Sequence, residues 1–81
     1  DVVYQDVAQK NQAGIFSRAM RRFSAPFGML ALKARSEDVT REPSDVFRDA
    51  AMLLGREGFE VADLLDLEPY EKDHALLVVK R

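Results

Sequence analysis

The sequence is marked first by what it lacks. It contains no cysteine, which excludes disulfide bonds and thiolate metal sites. With a single histidine as well, we expect no transition-metal site. No apolar run approaches the roughly 20 residues of a membrane helix, and the first residues lack the pattern of a signal peptide. These absences predict a soluble intracellular protein with no membrane association.

An excess of positive charge is also missing. Lysine and arginine number 12 against 14 aspartates and glutamates, for a net charge of −2, so bulk charge does not indicate nucleic-acid binding. With 47% hydrophobic and 32% charged residues, the composition is globular. Its 81 residues allow one small domain, residues 1–81. The chain starts at Asp1 without methionine, already in a strand-like run, which suggests a piece of a larger protein.

Hydrophobic periodicity predicts a mixed α/β chain in the order β-α-β-α-β-β. The predicted strands are residues 2–4, 28–32, 59–67 and 75–79, and the predicted helices are residues 11–23 and 43–57. The second strand is mostly apolar, so we expect cover on both of its faces. Residues 36–42 are polar and predict a loop.

This element order constrains the topology and places three ionisable residues together. Strand–helix–strand units predict parallel neighbours with right-handed crossovers, and the short turn before the last strand makes that strand antiparallel. In open α/β sheets, ligands bind beyond the carboxyl ends of the parallel strands. Asp6 and Lys33 follow two such ends, and an antiparallel last strand would begin there with His74. The spacing therefore predicts that Asp6, Lys33 and His74 converge at one rim.

Taken singly, each of these residues has an ordinary alternative. An aspartate after a strand is most often a helix cap or a strand end. Lys33 alone is typical of a solvated lysine. A histidine that follows charged residues in a turn, as His74 does, needs no function.

Two further groups of residues have side chains of the kind that contact RNA. Four residues with stacking potential are interpreted as core: Tyr4, Phe16, Met20 and Phe23. Four basic residues are interpreted as the solvated face of the first helix, with an RNA-facing patch as the alternative: Lys10, Arg18, Arg21 and Arg22.

Three segments resemble the fibrillarin family, in order and spacing. The first is Asp6-Val7-Ala8-Gln9, followed by Gln12 and a helix. The second is Lys33-Ala34, and the third is Leu67-Glu68-Pro69-Tyr70-Glu71-Lys72-Asp73-His74-Ala75. The similarity runs over essentially all 81 residues and is closer to the archaeal fibrillarin-like form.

The resemblance implies a fold, an activity and a site. The fold would be the second half of a Rossmann-like methyltransferase sheet, and the activity RNA 2′-O-ribose methylation of rRNA and tRNA with S-adenosyl-L-methionine. Asp6, Lys33 and His74 would be the catalytic residues, and Asp6, Val7, Ala8 and Gln9 would contact the cofactor. The family's first catalytic lysine and its glycine-rich turn would lie upstream of Asp1, so we expect the cofactor-binding half to be absent.

The resemblance also implies partners. These are a box C/D guide RNA, a Nop-domain scaffold protein, a kink-turn-binding protein and, if the enzyme is split, a chain supplying the N-terminal half. The location would be cytoplasmic in an archaeon and nucleolar in a eukaryote. The alternative hypothesis is a non-catalytic structural or interaction module, or one chain of a split methyltransferase.

Overall fold

The computed structural model describes residues 2–69 and 71–81, which form four strands and three helices. The strands are β1 (Val2–Gln5), β2 (Phe27–Lys33), β3 (Glu60–Asp66) and β4 (His74–Lys80), and the helices are α1 (Gln12–Arg22), α2 (Ala34–Glu37) and α3 (Pro43–Arg56). No helix in these residues is both long enough and apolar enough to cross a membrane.

The sheet has the strand order β1-β2-β4-β3. Strands β1 and β2 are parallel, and β4 is antiparallel to both β2 and β3, which confirms the α/β class and the reversed last strand. The expectation that β2 and β3 are neighbours was wrong, because β4 lies between them. The apolar run of β4 suits a central position, whereas β3 carries Glu60, Asp63 and Asp66 and suits an edge.

Helices α1 and α3 cover one face of the sheet and enclose the core. The largest wholly buried apolar side chains there are Phe16, Met20, Leu30, Leu32, Leu54, Leu77 and Val79. Gly28 lets α1 approach β2 closely, because a Cβ at this position would lie 2.5 Å from both the Met20 sulfur and the Phe16 ring. The core therefore requires a residue without a side chain in β2.

The opposite face of the sheet carries exposed apolar side chains. Tyr4 on β1, Phe27 on β2 and Leu65 on β3 are about half exposed, and Met29 beside them is half-buried. The expected cover on both faces of residues 28–32 was therefore wrong for this chain, because α1 and α3 pack on the same side.

Two of the four residues interpreted as core are exposed, so that interpretation was wrong for them. Tyr4 alternates onto the open face of β1, and Phe23 ends α1 beyond its buried stripe. The guanidinium of Arg22 lies 5.8 Å from the Phe23 ring centroid. Phe16 and Met20 are buried as predicted.

The structure adds a short helix and a strand irregularity to the predicted elements. The predicted loop at 36–42 begins inside α2, a single turn closed by the Asp38 N–H to the Ala34 carbonyl. Strand β3 shifts register between Val61 and Asp63. The predicted turn before β4 includes Tyr70, which lies outside the described residues, as does Asp1.

Candidate active site at the carboxyl ends of β1 and β2

Asp6, Lys33 and His74 meet at one rim of the sheet, as predicted. Asp6 directly follows β1, and Lys33 is the last residue of β2. Lys33 lies opposite His74, the first residue of β4, in the antiparallel register. The Lys33 ammonium donates a hydrogen bond to the Asp6 carboxylate and forms an ion pair with it. The topology thus brings together residues far apart in the sequence.

These side chains border a cavity of about 230 Å³. Its other lining residues include Tyr4, Ala31, Glu71 and Leu76. The cavity lies on the open face of the sheet, because Tyr4, Ala31, Lys33 and Leu76 alternate onto that face. A molecule placed here would meet the cation, the carboxylate and the imidazole together.

The ion pair sets the charge of Asp6. The hydrogen bond and the charge of Lys33 lower the pKa of the Asp6 carboxyl below its ordinary value of 3.8, and His74 contributes in the same direction. Asp6 is therefore ionised at neutral pH. The Asp6 side chain is 49% exposed and that of Lys33 is 22% exposed, so both remain accessible to a bound molecule.

The hydrogen bond of His74 fixes which ring nitrogen is free. Nδ1 lies 2.7 Å from the Lys72 carbonyl oxygen, and a carbonyl only accepts, so Nδ1 carries the proton. In the neutral ring, Nε2 is then an acceptor. Nε2 lies 3.7 Å from the Glu71 carboxylate.

Asp73, in the turn before β4, fixes the position of His74 through its own contacts. Asp73 adopts a left-handed conformation with φ 63°, and its carboxylate accepts a hydrogen bond from Arg35 Nε at 2.8 Å. Its carbonyl accepts the Ala34 N–H at 2.9 Å. These contacts tie the start of β4 to the end of β2, so His74 and Lys33 are held side by side.

The helix-cap alternative for Asp6 does not describe this structure. Helix α1 is capped by Glu37, whose two carboxylate oxygens accept the N–H groups of Asn11 and Gln12 at 3.0 and 2.7 Å. Sequence reasoning missed Glu37, Gln5 and the structural part played by Gln12. Gln5 alternates inward with Val3 on β1, and a polar residue at such a position is the one signal that points to a buried hydrogen-bond network.

The predicted cofactor segment forms the loop after β1. Val7 is half-buried, and Ala8 and Gln9 are exposed, outside the residues that line the cavity. The loop begins with an ionised carboxylate, and such a group suits the cationic sulfonium of S-adenosyl-L-methionine. The residues present therefore fit one side of that cofactor.

The basic residues of α1 divide between contacts and solvent. Arg21 donates to the Glu57 carboxylate at 2.6 Å and lies 5.1 Å from the Phe59 ring centroid. Arg18 is exposed. Arg21 therefore joins α1 to the end of α3. This contact favours the interpretation of the basic residues as an ordinary helix face over an RNA-facing patch. Among residues 2–69 and 71–81, no cluster of three potential metal ligands occurs.

Known proteins are similar to the whole chain. The fibrillarin family profile matches residues 1–81. The fibrillarin-like rRNA/tRNA 2′-O-methyltransferase of Methanocaldococcus jannaschii is 45% identical over 80 residues, which cover 96% of this chain and 35% of that protein. The chain thus spans about a third of the length of this curated relative.

Solved structures agree with this chain in fold. The fibrillarin pre-rRNA processing protein of Methanococcus jannaschii has a TM-score of 0.91 at 44% identity, covering 99% of this chain and 36% of that one. A fibrillarin/Nop5p complex has a TM-score of 0.85 at 37% identity, covering 100% of this chain and 39% of the chain in that complex. Aeropyrum pernix fibrillarin with natively bound S-adenosyl-L-methionine has a TM-score of 0.76 at 41% identity, covering 98% of this chain and 35% of that one. Because the family profile matches residues 1–81 and the fold agrees with three fibrillarin structures, the chain belongs to the fibrillarin family.

Proposed function

We propose that this chain is the C-terminal part of a methyltransferase that transfers a methyl group from S-adenosyl-L-methionine to ribose 2′-hydroxyls of rRNA and tRNA. The observation that carries the proposal is the Asp6–Lys33 ion pair beside His74 at the rim of the sheet. The relative of Methanocaldococcus jannaschii, named for this activity, supports it.

Lys33 and Asp6 suit the acceptor side of this reaction. A ribose hydroxyl is a weak nucleophile, and attack on a methyl carbon needs its oxygen aligned with the breaking bond. The Lys33 ammonium donates hydrogen bonds that hold and polarise this oxygen, and Asp6 fixes the ammonium in place. The hydroxyl gives up its proton to water as the new bond from oxygen to carbon forms. S-Adenosyl-L-methionine, when bound, supplies an electrophilic methyl group on a sulfonium. The segment from Asp6 to Gln9 would hold that cofactor.

His74 offers the substrate one nitrogen in two protonation states. Because Nδ1 donates to the Lys72 carbonyl, neutral His74 presents Nε2 as an acceptor for a ribose hydroxyl. In the protonated state Nε2 becomes a donor to a phosphate or ribose oxygen, with Glu71 as the nearby anion. We assign His74 to orienting the ribose.

The remaining part of the domain would complete the cofactor site. We propose that it supplies the glycine-rich turn and a further lysine, and that it packs on the open face of the sheet. Two observations support this: the chain spans 35% of its relative, and Val2, Tyr4 and Phe27 are about half or more exposed on that face. The whole domain, in one chain or two, would then be the enzyme.

RNA targeting would come from partners. The net charge of −2 supports a particle in which other components carry most of the affinity for RNA. We propose a Nop-domain scaffold, supported by the fibrillarin/Nop5p complex, together with a box C/D guide RNA and a kink-turn-binding protein. Of the two locations, we propose the cytoplasm, because the relatives named above are archaeal.

A second candidate function is a non-catalytic structural or interaction module, alone or as one chain of a split enzyme. The exposed apolar face of the sheet favours it, because such a face is typical of a surface that packs against another element. The two hypotheses differ in whether the rim takes part in chemistry.

The test uses a full-length protein, here called the test protein, in which residues 1–81 replace the matching part of the Methanocaldococcus jannaschii relative. Calorimetry with S-adenosyl-L-methionine is run on residues 1–81 and on the test protein, and methylation is measured in the assembled particle. We expect cofactor binding and ribose methylation by the test protein, and no tight binding by residues 1–81 alone. Cofactor binding without methylation would favour the structural module.

A further inference from the structure

Gln12 is a polar residue with no exposed surface, and each of its hydrogen-bonding groups is engaged. Its backbone N–H donates to Glu37, and its backbone carbonyl accepts from Gln5 Nε2 at 2.9 Å. Its carboxamide donates to the Lys33 carbonyl at 2.9 Å and accepts from the Lys33 N–H at 3.0 Å. Gln12 thus contacts the ends of β1 and β2 at once.

The carboxamide of Gln12 takes the place of a strand beside Lys33. The parallel register of β1 with β2 ends at Gln5 opposite Leu30, three residues before Lys33. The N–H and carbonyl of Lys33 both face the side from which β1 has departed, and Gln12 pairs with both. These two hydrogen bonds replace those that a neighbouring strand would make to Lys33. They hold the backbone from which the Lys33 side chain projects.

The same residue anchors the loop that carries Asp6. Gln5 immediately precedes Asp6, and its side chain is bonded to the Gln12 carbonyl. At the other end of the loop, Glu37 holds the first turn of α1. Asp6 and Lys33 therefore project from two segments whose relative position depends on Gln12.

We propose that Gln12 is a positioning residue that sets the Asp6–Lys33 pair for methyl transfer. The proposal deepens the function proposed above and rests on it. Gln12 has no exposed surface and does not line the cavity, so it acts through the backbone of Lys33. Nothing else in the described part of the chain donates to the Lys33 carbonyl through a side chain.

The test compares Gln12→Leu with Ser17→Ala in the test protein. Leucine removes both bonds to Lys33 at similar volume. Ser17 is another buried polar residue of α1, but it bonds to Glu57 and Arg21, away from the rim. Circular dichroism and the melting temperature establish folding. The readouts are the pKa of Asp6, from carboxyl carbon shifts, and single-turnover and steady-state methylation.

For folded Gln12→Leu we expect the pKa of Asp6 to rise toward its ordinary value, because Lys33 is no longer held beside it. We expect kcat to fall on the order of ten- to a hundredfold, with the KM for RNA unchanged. Ser17→Ala should lower the melting temperature without changing the pKa of Asp6 or the kcat. A folded Gln12→Leu protein with the original Asp6 pKa and kcat would overturn the proposal.

Two further variants separate the possible failures. If Gln12→Leu does not fold, Gln12→Asn keeps the amide but shortens its reach, and we expect a smaller fall in kcat; an unchanged kcat would overturn the proposal. If Lys33→Met keeps full activity, the proposed function fails. A raised Asp6 pKa in Gln12→Leu would still support the positioning of Lys33 by Gln12.

Discussion

Asp6 and Lys33, 27 positions apart, form an ion pair between the ends of two parallel strands. Asp6 follows an edge strand, and Lys33 ends the strand beside it. Asp6 does not cap α1, because Glu37 does so, and Lys33 is not a fully solvated lysine, because its ammonium is paired with Asp6 and its side chain is 22% exposed. The pair places a cation and an anion at the rim where His74 begins β4.

The ion pair predicts how Asp6 titrates. Its pKa in the folded chain lies below the ordinary 3.8 because of Lys33. A lowered pKa stabilises the fold at pH values above 3.8, and this stabilisation is lost as the pH falls through the folded pKa. In Lys33→Met we expect the pKa of Asp6 to return toward 3.8, measured from carboxyl carbon shifts. Lys80→Met is the control, and equal titration of Asp6 in both variants would disprove the coupling.

Gly28 and Gly55 predict opposite effects of the same substitution. A Cβ on Gly28 would lie 2.5 Å from the Phe16 ring and the Met20 sulfur, so Gly28→Ala should lower the free energy of unfolding by about 1–3 kcal/mol. Gly55 in α3 has open space around its Cα, so Gly55→Ala should raise it by about 0.5–1 kcal/mol. Urea denaturation measures both. Equal effects would contradict the close packing of α1 on β2.

Arg21 and Arg18 lie on α1, and only Arg21 is predicted to support the fold. Arg21 pairs with Glu57 and lies over the Phe59 ring, whereas Arg18 is exposed. Arg21→Ala should lower the melting temperature more than Arg18→Ala does. Added salt should reduce this difference in melting temperature, here called the gap. Arg21 lowers the pKa of Glu57, so the gap should also shrink as the pH falls below Glu57's ordinary value of 4.5. A gap that persists in acid would show that the carboxylate is not involved.

Asp73 predicts a difference between two neutral replacements. Its φ of 63° favours asparagine over alanine, since asparagine adopts the left-handed region more readily. Asp73→Ala should therefore be about 1 kcal/mol less stable than Asp73→Asn, measured by urea denaturation. Both variants lose the ion pair with Arg35, and making both in an Arg35→Met background removes the hydrogen bond that asparagine would still accept, so the comparison isolates the backbone. Equal stabilities would mean that the turn relaxes.

The sequence predicted most of the fold because its periodicity is strong. The pattern of Phe16 and Met20 identified α1, and Pro43 marked the start of α3. Periodicity does not report which strands are neighbours, so the insertion of β4 between β2 and β3 was missed. Nor does it report which side a helix covers. The exposure of Tyr4 and Phe23 therefore could not be predicted from the sequence.

The rim of the site was predicted from topology, but its support was not. Asp6, Lys33 and His74 converge because strand direction places strand ends together. Gln12 and Glu37 act through hydrogen bonds to backbone groups of distant segments. Such bonds depend on tertiary distances that residue type does not encode. The catalytic roles of the three rim residues stay predictions.

The most direct test of the account is the single-turnover rate of methyl transfer by the Lys33→Met test protein, with cofactor and guide RNA bound. Lys80→Met is the matched control, because Lys80 lies on the same face of the sheet opposite Phe27, at the other end of β2. If Lys33 holds the attacking oxygen, Lys33→Met should be slower by about 10²–10³-fold and Lys80→Met unaffected. Equal rates for the two variants would contradict the central claim.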